Sequence, residues 1–374
     1  MRLIVLGAGS VGRAVALDLA EDKKFSVSVV DQKKEPLVEL KTRGRLSVEA
    51  EDLSSPEAVK AAVERFDVVV NALPGFLGFQ TLKACIEARK DVIDVAFAAE
   101  DPLVLDGLAR EKGVTAVVDC GVAPGLSHML AGQASVKLDK PEFLIIYAGG
   151  LPVRRTWPFE YATLFSPSDV IEEYLRPARF KENGQVVIQP ALSEPELLEF
   201  EGLGTLEAFN TDGLRTLLHT LPFPNMKEKT LRYPGHREKI EMLKRAGFLD
   251  TRPLLIRGRK ISPREITSEI LFSRLQLMPG EEDVTLLRVV AGGQKKNQSL
   301  VITHELLDRY DRKKGVTSMA RTTGYTASMA VRALVRGLIK ERGIVPPEFL
   351  GLDQRCLDFI LQGLRERGLC WSSR

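Results

Sequence analysis

The sequence predicts an α/β fold in two parts: a doubly wound parallel sheet at the N-terminal end, then a second α+β domain with a mixed or antiparallel sheet. Three observations predict it. Over residues 1–120, near-continuous apolar runs alternate with helical patterns, as strands covered on both faces of a parallel sheet require. The first of these runs leads straight into a glycine-rich turn at residues 7–12. After Pro124-Gly125 the alternation stops, and two apolar runs, 284–290 and 299–310, flank Gly292-Gly293 and a polar turn as in an antiparallel hairpin.

The first domain, 1–120, reads as follows. A strand enters the glycine turn, a helix covers 13–20, and a strand over 26–30 ends on Asp31. Residues 46–50 form a third strand ending near Glu51-Asp52, and Pro56 opens a helix to Arg65, where its missing N–H costs least. The run 67–73 (DVVVNAL) is a buried strand stopped by Pro74-Gly75. Helices over 79–88 and 101–112 then alternate with strands over 92–96 and 115–120. The second domain, 121–318, has a strand at 143–147, a turn at Gly149-Gly150-Leu151-Pro152, a loop-rich stretch and the hairpin. Small and apolar residues recur at helical spacing over 323–339, and Pro346-Pro347 breaks the pattern. The segment 319–374 is expected to return and pack on the first domain.

The glycine turn is Gly7-Ala8-Gly9-Ser10-Val11-Gly12. Strand, GxGxxG, helix, strand and terminal acid within one βαβ unit form the dinucleotide-binding (Rossmann) fingerprint. Gly7 permits the tight turn, Gly9 lets the backbone approach a pyrophosphate, and Gly12 brings helix and strand close. The free N–H groups of the helix N-terminus then face the phosphates. Asp31 can accept hydrogen bonds from the adenosine ribose and would repel a 2′-phosphate, which favours NAD; Lys33 and Lys34 nearby pull the other way.

Composition narrows the function classes. A chain of 374 residues, 44% hydrophobic and 28% charged, can fill two or three ordinary globular domains. Its 53 basic and 50 acidic residues give no reason to expect nucleic acid or another polyanion as partner. Residues 227–245 are locally basic but interrupted by Glu228, Glu238 and Glu241, which reads as a solvated helix face with one substrate-facing arginine. The cysteines Cys85, Cys120, Cys356 and Cys370 are scattered, which argues against a disulfide framework or a zinc site and fits a reducing cytosol. The apolar N-terminus belongs to the fingerprint rather than to a leader, and no apolar run approaches the ~20 residues of a membrane span. A cytoplasmic location with no membrane partner is the expectation.

Ligands of open parallel sheets bind beyond the carboxyl ends of the strands. That rule selects Asp31, Asp52, Asn71-Ala72-Leu73-Pro74, Asp94-Val95-Ala96-Phe97 and residues 119–125, including Val122. Asn71 to Pro74 would run along the nicotinamide half of the cofactor, while Asp94 has the alternative of satisfying nearby backbone N–H groups. In the second domain the candidates are Arg154, Arg155, Glu160, Tyr161, Asn210-Thr211-Asp212 and Arg232 to His236. An arginine fork suits a carboxylate and a buried glutamate suits an ammonium. A surface ion pair is the alternative for each. Of four histidines, His236 has the most site-like setting, a Pro-Gly turn beside Arg232.

Seven blocks carry a family resemblance: VVNALP (69–74), GVAPGLSHMLAG (121–132), YAGGLPVRRTWPFEY (147–161), GTLEAFNTDG (204–213), KTLRYPGH (229–236), LLRVVAGG (286–293) and ARTTGYTAS (320–328). With them the chain resembles the saccharopine dehydrogenase-like family over nearly its whole length, and within it the lysine 6-dehydrogenase group. The resemblance implies NAD-dependent oxidative deamination of L-lysine at the ε-carbon, with release of ammonia. The product, 2-aminoadipate 6-semialdehyde, would cyclise to piperideine-6-carboxylate. In the saccharopine-acting group, Ala123 would be an aspartate, Ala148 a cysteine and Phe97 commonly a tyrosine. A saccharopine reductase and a non-catalytic NAD-binding regulator remain the alternatives. A homodimer or larger oligomer is implied. In this scheme Arg154 or Arg232 holds the substrate carboxylate and Glu160 or Asp94 faces the amine. His236 or water relays the proton, and Tyr161, Thr211 and Phe97 complete the pocket.

Overall fold

The structure is a computed structural model that describes residues 1–278 and 280–374. Its first domain runs β1 (Arg2–Leu6), α1 (Ser10–Ala20), β2 (Ser26–Asp31), α2 (Lys34–Arg43), β3 (Leu46–Ala50), α3 (Pro56–Val63), β4 (Val68–Asn71), α4 (Gly75–Glu87), β5 (Asp91–Asp94), α5 (Asp106–Lys112) and β6 (Thr115–Val117). The second domain continues through α6 (Leu126–Lys137), β7 (Lys140–Pro152), α7 (Pro167–Leu175), β8 (Ala178–Glu182), β9 (Gln185–Gln189), β10 (Glu196–Phe200), β11 (Gly204–Asn210), α8 (Leu217–Thr220) and β12 (Asn225–Arg232). It then has α9 (His236–Arg245), β13 (Leu254–Ile256), β14 (Arg259–Ile261), α10 (Pro263–Arg274), β15 (Asp283–Lys295) and β16 (Gln298–Arg309). The chain closes with α11 (Ser318–Val335), β17 (Gly343–Val345), α12 (Pro347–Leu352), α13 (Gln354–Glu366) and β18 (Trp371–Ser373).

The first sheet is parallel throughout, in the order β17-β6-β5-β4-β1-β2-β3. Alternation along β1 fills a core on either face. Leu3 and Val5 join the core built with α1 and the returning α11 and α13, while Ile4 and Leu6 join the core under α3, α4 and α5. The sheet draws its last strand, β17, from the C-terminal segment. Helix α11 packs along α1 so closely that a Cβ added at Gly324 would lie only 3.0 Å from Ala14 Cβ. It begins at Ser318, earlier than its apolar pattern indicates, because the Thr317 side chain caps it by accepting from Ala320 N. Buried Asp18 of α1 pins this return through Ser328, Arg332 (2.6 Å) and Arg367.

The second sheet has the order β10-β11-β12-β7-β15-β16-β18, with the β8–β9 hairpin attached to β12. It is mixed: β7 is parallel to β12 and antiparallel to β15. Three sequence expectations change here. The β15–β16 turn is Lys296-Asn297, both at positive φ (50° and 62°), the signature of a type I′ hairpin. Gly292 and Gly293 lie inside β15 instead, where a Cβ would fall 2.2 Å from the Phe143 ring or from the Lys140 carbonyl oxygen. Likewise Gly149 to Pro152 are not a turn but the end of the 13-residue β7. Gly149 is needed there because a Cβ would meet Leu231 at 2.7 Å. Finally, residues 225–232 form a largely buried strand in the middle of this sheet, so only α9 is the solvated basic face.

Candidate active site

The two domains enclose a cleft of about 750 Å³ lined from the β1–α1 turn to β12 of the second sheet. At the turn each glycine has a different reason. Gly7 sits at φ +101° with its Cβ position 2.6 Å from the Ala72 carbonyl oxygen, and a Cβ on Gly12 would come 2.0 Å from the Gly7 oxygen. Both are demanded by the protein itself. Gly9 is not: its backbone is extended, at φ −64° and ψ −179°, and apart from its chain neighbours no protein atom lies within 4 Å of its Cβ position. The space that Gly9 keeps open belongs to the cleft. Ser10, Val11 and Gly12 begin α1 there without a side-chain cap, leaving first-turn N–H groups for an anion. Asp31 closes this end, its carboxylate fixed by the N–H groups of Ala8 (2.6 Å) and Lys33 (2.8 Å), with Asp52 on the adjoining wall. The residues present fit a dinucleotide.

The middle of the cleft is apolar. Ala72, Leu73, Pro74, Phe97, Val122, Ala123 and Ala148 line it. The Arg176 guanidinium stacks on the Phe97 ring at 4.5 Å and donates to the Ala98 carbonyl at 3.1 Å. Asp169 of α7 reaches across to accept from Gly75 N at 3.2 Å, so the second domain caps α4. That added cap explains why α4 starts at Gly75 rather than at Phe79.

The far wall is β12. Its residues Glu228, Thr230 and Arg232 alternate onto one face and all line the cleft. Arg232 is almost fully buried: Nε donates to Tyr174 Oη (3.1 Å), Nη1 to the Leu231 carbonyl (2.9 Å) and Nη2 to Glu173 (2.6 Å). Its guanidinium also lies over the Tyr161 ring at 4.7 Å. One N–H on each terminal nitrogen stays uncommitted among the described residues. Glu228 Oε2 lies 2.6 Å from Thr211 Oγ1 and accepts from Gly213 N (3.1 Å), and burial pushes its carboxyl up to about 8.

A family model described as the saccharopine dehydrogenase NADP binding domain matches residues 3–117, and one for the saccharopine dehydrogenase C-terminal domain matches 121–369. The chain belongs to the saccharopine dehydrogenase family. Among relatives, alpha-aminoadipic semialdehyde synthase of Mus musculus is 24% identical over 92% of this chain and 45% of that protein. The chain spans less than half the length of the first relatives it matches, all alpha-aminoadipic semialdehyde synthases. Saccharopine dehydrogenase [NADP(+), L-glutamate-forming] of Pyricularia oryzae is 22% identical over 98% of this chain and 96% of its own length. In structure, apo saccharopine dehydrogenase (L-Glu forming) from Saccharomyces cerevisiae superposes with a TM-score of 0.81 at 19% identity, over 100% of this chain and 99% of that one. That likeness shows the fold.

Within this family fold the candidates from sequence separate into two groups. Gly7, Gly9, Ser10, Val11, Gly12, Asp31, Asp52, Ala72, Leu73, Pro74, Val122, Phe97, Thr211 and Arg232 all line the cleft. Asn71 and Asp94 lie beneath it. Asn71 donates to Asp94 (2.8 Å) and accepts from Leu73 N (3.3 Å), and Asp94 accepts from Ala96 N (3.1 Å). They brace the two strand ends, and burial raises the Asp94 carboxyl to about 8. Arg154 and Glu160 are outside the cleft lining, because β7 runs on to Pro152 and carries the following loop past it. Arg154 is exposed and Glu160 half-buried at φ +50°.

Tyr161 and His236 sit behind Arg232. His236 is fully buried, its Nδ1 on the Phe159 carbonyl (2.8 Å) and its Nε2 on Tyr174 Oη (3.0 Å). Burial, with Arg232 nearby, pushes its pKa down to about 3. A neutral ring in that setting orients Tyr174, and Tyr174 holds Arg232. Sequence reasoning passed over Glu228, Thr230, Glu173 and Arg176. The first two carried a usable signal, since they alternate with Arg232 at every second residue. Glu173 and Arg176 lie on and just beyond α7, and only tertiary packing brings them here.

Proposed function

We propose that the protein is an NAD-dependent dehydrogenase that oxidatively deaminates L-lysine at its ε-carbon, giving 2-aminoadipate 6-semialdehyde and ammonia. The observation that carries this reading is the β12 wall. Glu228 and Arg232 face one cleft, four residues apart along a strand and so about 13 Å apart along the backbone. That spacing suits an amine and a carboxylate joined by a short methylene chain, with a hydrogen bond at either end. The two uncommitted N–H groups of Arg232 would take the α-carboxylate. Ala123, Ala148 and Phe97 would exclude water from the methylenes. When bound, NAD+ supplies a hydride acceptor for the carbon that bears the amine. Arg232, held by Glu173, Tyr174 and the Leu231 carbonyl, would fix the register of that carbon.

Asp31 supports NAD over NADP, since a carboxylate fixed by Ala8 N and Lys33 N at the end of β2 would repel a 2′-phosphate. A second reading, saccharopine oxidation, has its own support. Relatives bear that name, and Arg176 offers a second carboxylate a guanidinium with donors to spare. The deciding experiment follows reduced-cofactor absorbance with purified protein, NAD+ or NADP+, and either L-lysine or saccharopine, with an ammonia assay. Turnover of lysine with ammonia release supports the deaminase. Turnover of saccharopine alone overturns it in favour of the second reading.

A further inference from the structure

Four side chains in the cleft stand in single file. Thr211 Oγ1 is 2.6 Å from Glu228 Oε2 and 2.9 Å from Thr230 Oγ1, and Thr230 Oγ1 is 2.7 Å from Glu173 Oε1. Three contacts between oxygens need three hydrogens, and the two hydroxyls supply only two. With both glutamates ionised, Thr211 would donate to Glu228 and Thr230 to Glu173, leaving two hydroxyl oxygens face to face with nothing between them. The count closes when one carboxyl carries a proton.

Glu173 is the ionised end, because its other oxygen accepts from the Arg232 guanidinium at 2.6 Å. Glu228 is the protonated end. It is buried, and no salt bridge among the described residues reaches it. The charged groups that bear on it are Glu173 of α7 and Asp212, whose charge Arg179 of β8 neutralises through bonds of 2.8 and 2.9 Å; Arg232 lies four residues further along its own strand. The hydrogens then run in one direction, from Glu228 to Thr211 to Thr230 to Glu173.

We propose that Glu228 is the catalytic base for the amine substrate, and that Thr211 and Thr230 form a relay that closes when Glu228 takes the proton. The inference rests on the reading of the cleft as an amine-oxidising site. An ammonium has no lone pair with which to expel a hydride, and its free pKa is about 10.4. Ionised Glu228 takes one N–H proton, the freed nitrogen lone pair forms the C=N bond, and the C–H electron pair leaves as hydride to NAD+. Water then adds to the iminium carbon and the C–N bond breaks, so that substrate ammonium, NAD+ and water give aldehyde, ammonium ion, NADH and one proton. That proton is the one Glu228 holds and the relay can pass to Glu173, which is partly open to the cleft.

The test measures kcat and KM against pH for the full chain and for Glu228→Gln and Thr230→Val, using lysine or saccharopine, whichever the unaltered protein oxidises. Glu228→Gln is expected to lower kcat at least about 100-fold, with NADH binding unchanged by fluorescence titration. In the unaltered protein kcat/KM should fall as pH drops below about 8, where Glu228 becomes protonated, and this limb should vanish in Glu228→Gln. In Thr230→Val the limb should move to lower pH, because the protonated row loses a hydrogen bond; damage to packing alone would not move it. If Glu228→Gln keeps kcat within about threefold, the base assignment is overturned while the function stands. If the unaltered protein oxidises neither amine, the functional reading fails and this inference with it.

Discussion

At the scale of single residues, Gly9 and Asp31 separate ligand demands from protein demands. Nothing in the protein meets a Cβ at Gly9, so Gly9→Ala should leave the melting temperature unchanged and weaken dinucleotide binding, measured by NADH fluorescence. Gly12→Ala forces a Cβ to within 2.0 Å of a backbone oxygen and should cost about 1–3 kcal/mol in urea unfolding. On the proposed reading, Asp31→Ala should move the NAD+ to NADP+ ratio of kcat/KM about tenfold toward NADP+, a difference near 1.4 kcal/mol. Unaltered preference in that variant would remove Asp31 from the discrimination. Residue identity made all three positions visible in the sequence, since the local chain dictates what glycine or aspartate does there.

At the scale of elements, β12 and α7 make the second-domain wall. Alternation along β12 sends Glu228, Thr230 and Arg232 to the cleft, and Lys227 and Lys229 to ion pairs with Glu194 and Glu196 on the other side. The sequence reads as locally basic because both faces are printed in one line, yet the strand sorts them. From α7, Tyr174 bridges His236 and Arg232 while Glu173 binds the same guanidinium. Tyr174→Phe removes the bridge and leaves the Arg232 Nε donor and the His236 Nε2 acceptor unpaired. It should raise the KM for the amino acid about tenfold, a loss within 1–3 kcal/mol, with a smaller effect on kcat. A KM that stays put would show that Glu173 and the Leu231 carbonyl hold Arg232 well enough. Helix α7 itself carries no sequence motif for this role.

At the scale of the whole molecule, two buried carboxylates join distant parts of the chain through ion pairs. Asp119, just past β6, meets Arg215 of the second domain at 3.1 Å, with both side chains 2% exposed. Asp18 of α1 holds Arg332 of α11 and Arg367 beyond α13. Arg215→Met leaves the Asp119 carboxylate buried without its partner, a loss expected to be about 3–5 kcal/mol by chemical denaturation. A loss below about 1 kcal/mol would mean that water reaches Asp119 once the arginine is gone.

The sequence by itself determined the parallel first sheet, the GxGxxG turn and its acid, and the change of architecture after Pro124-Gly125. These are local: the hydrophobic period, the turn residues and the helix start are written within a few tens of residues. The resemblance to a family likewise lived in contiguous blocks. Only the tertiary structure decided which polar residues share the cleft. Arg154, Glu160 and His236 belong to motifs that look like site chemistry, but a strand that runs on to Pro152 carries the first two away, and Arg232 stands between His236 and the cleft. Glu228, Thr211 and Glu173 come together from β12, a loop after β11 and α7. Their proton count exists only once those elements meet. Periodicity tells that a strand has two faces; what lies opposite each face, and how dry it is, depends on chain segments far away in sequence.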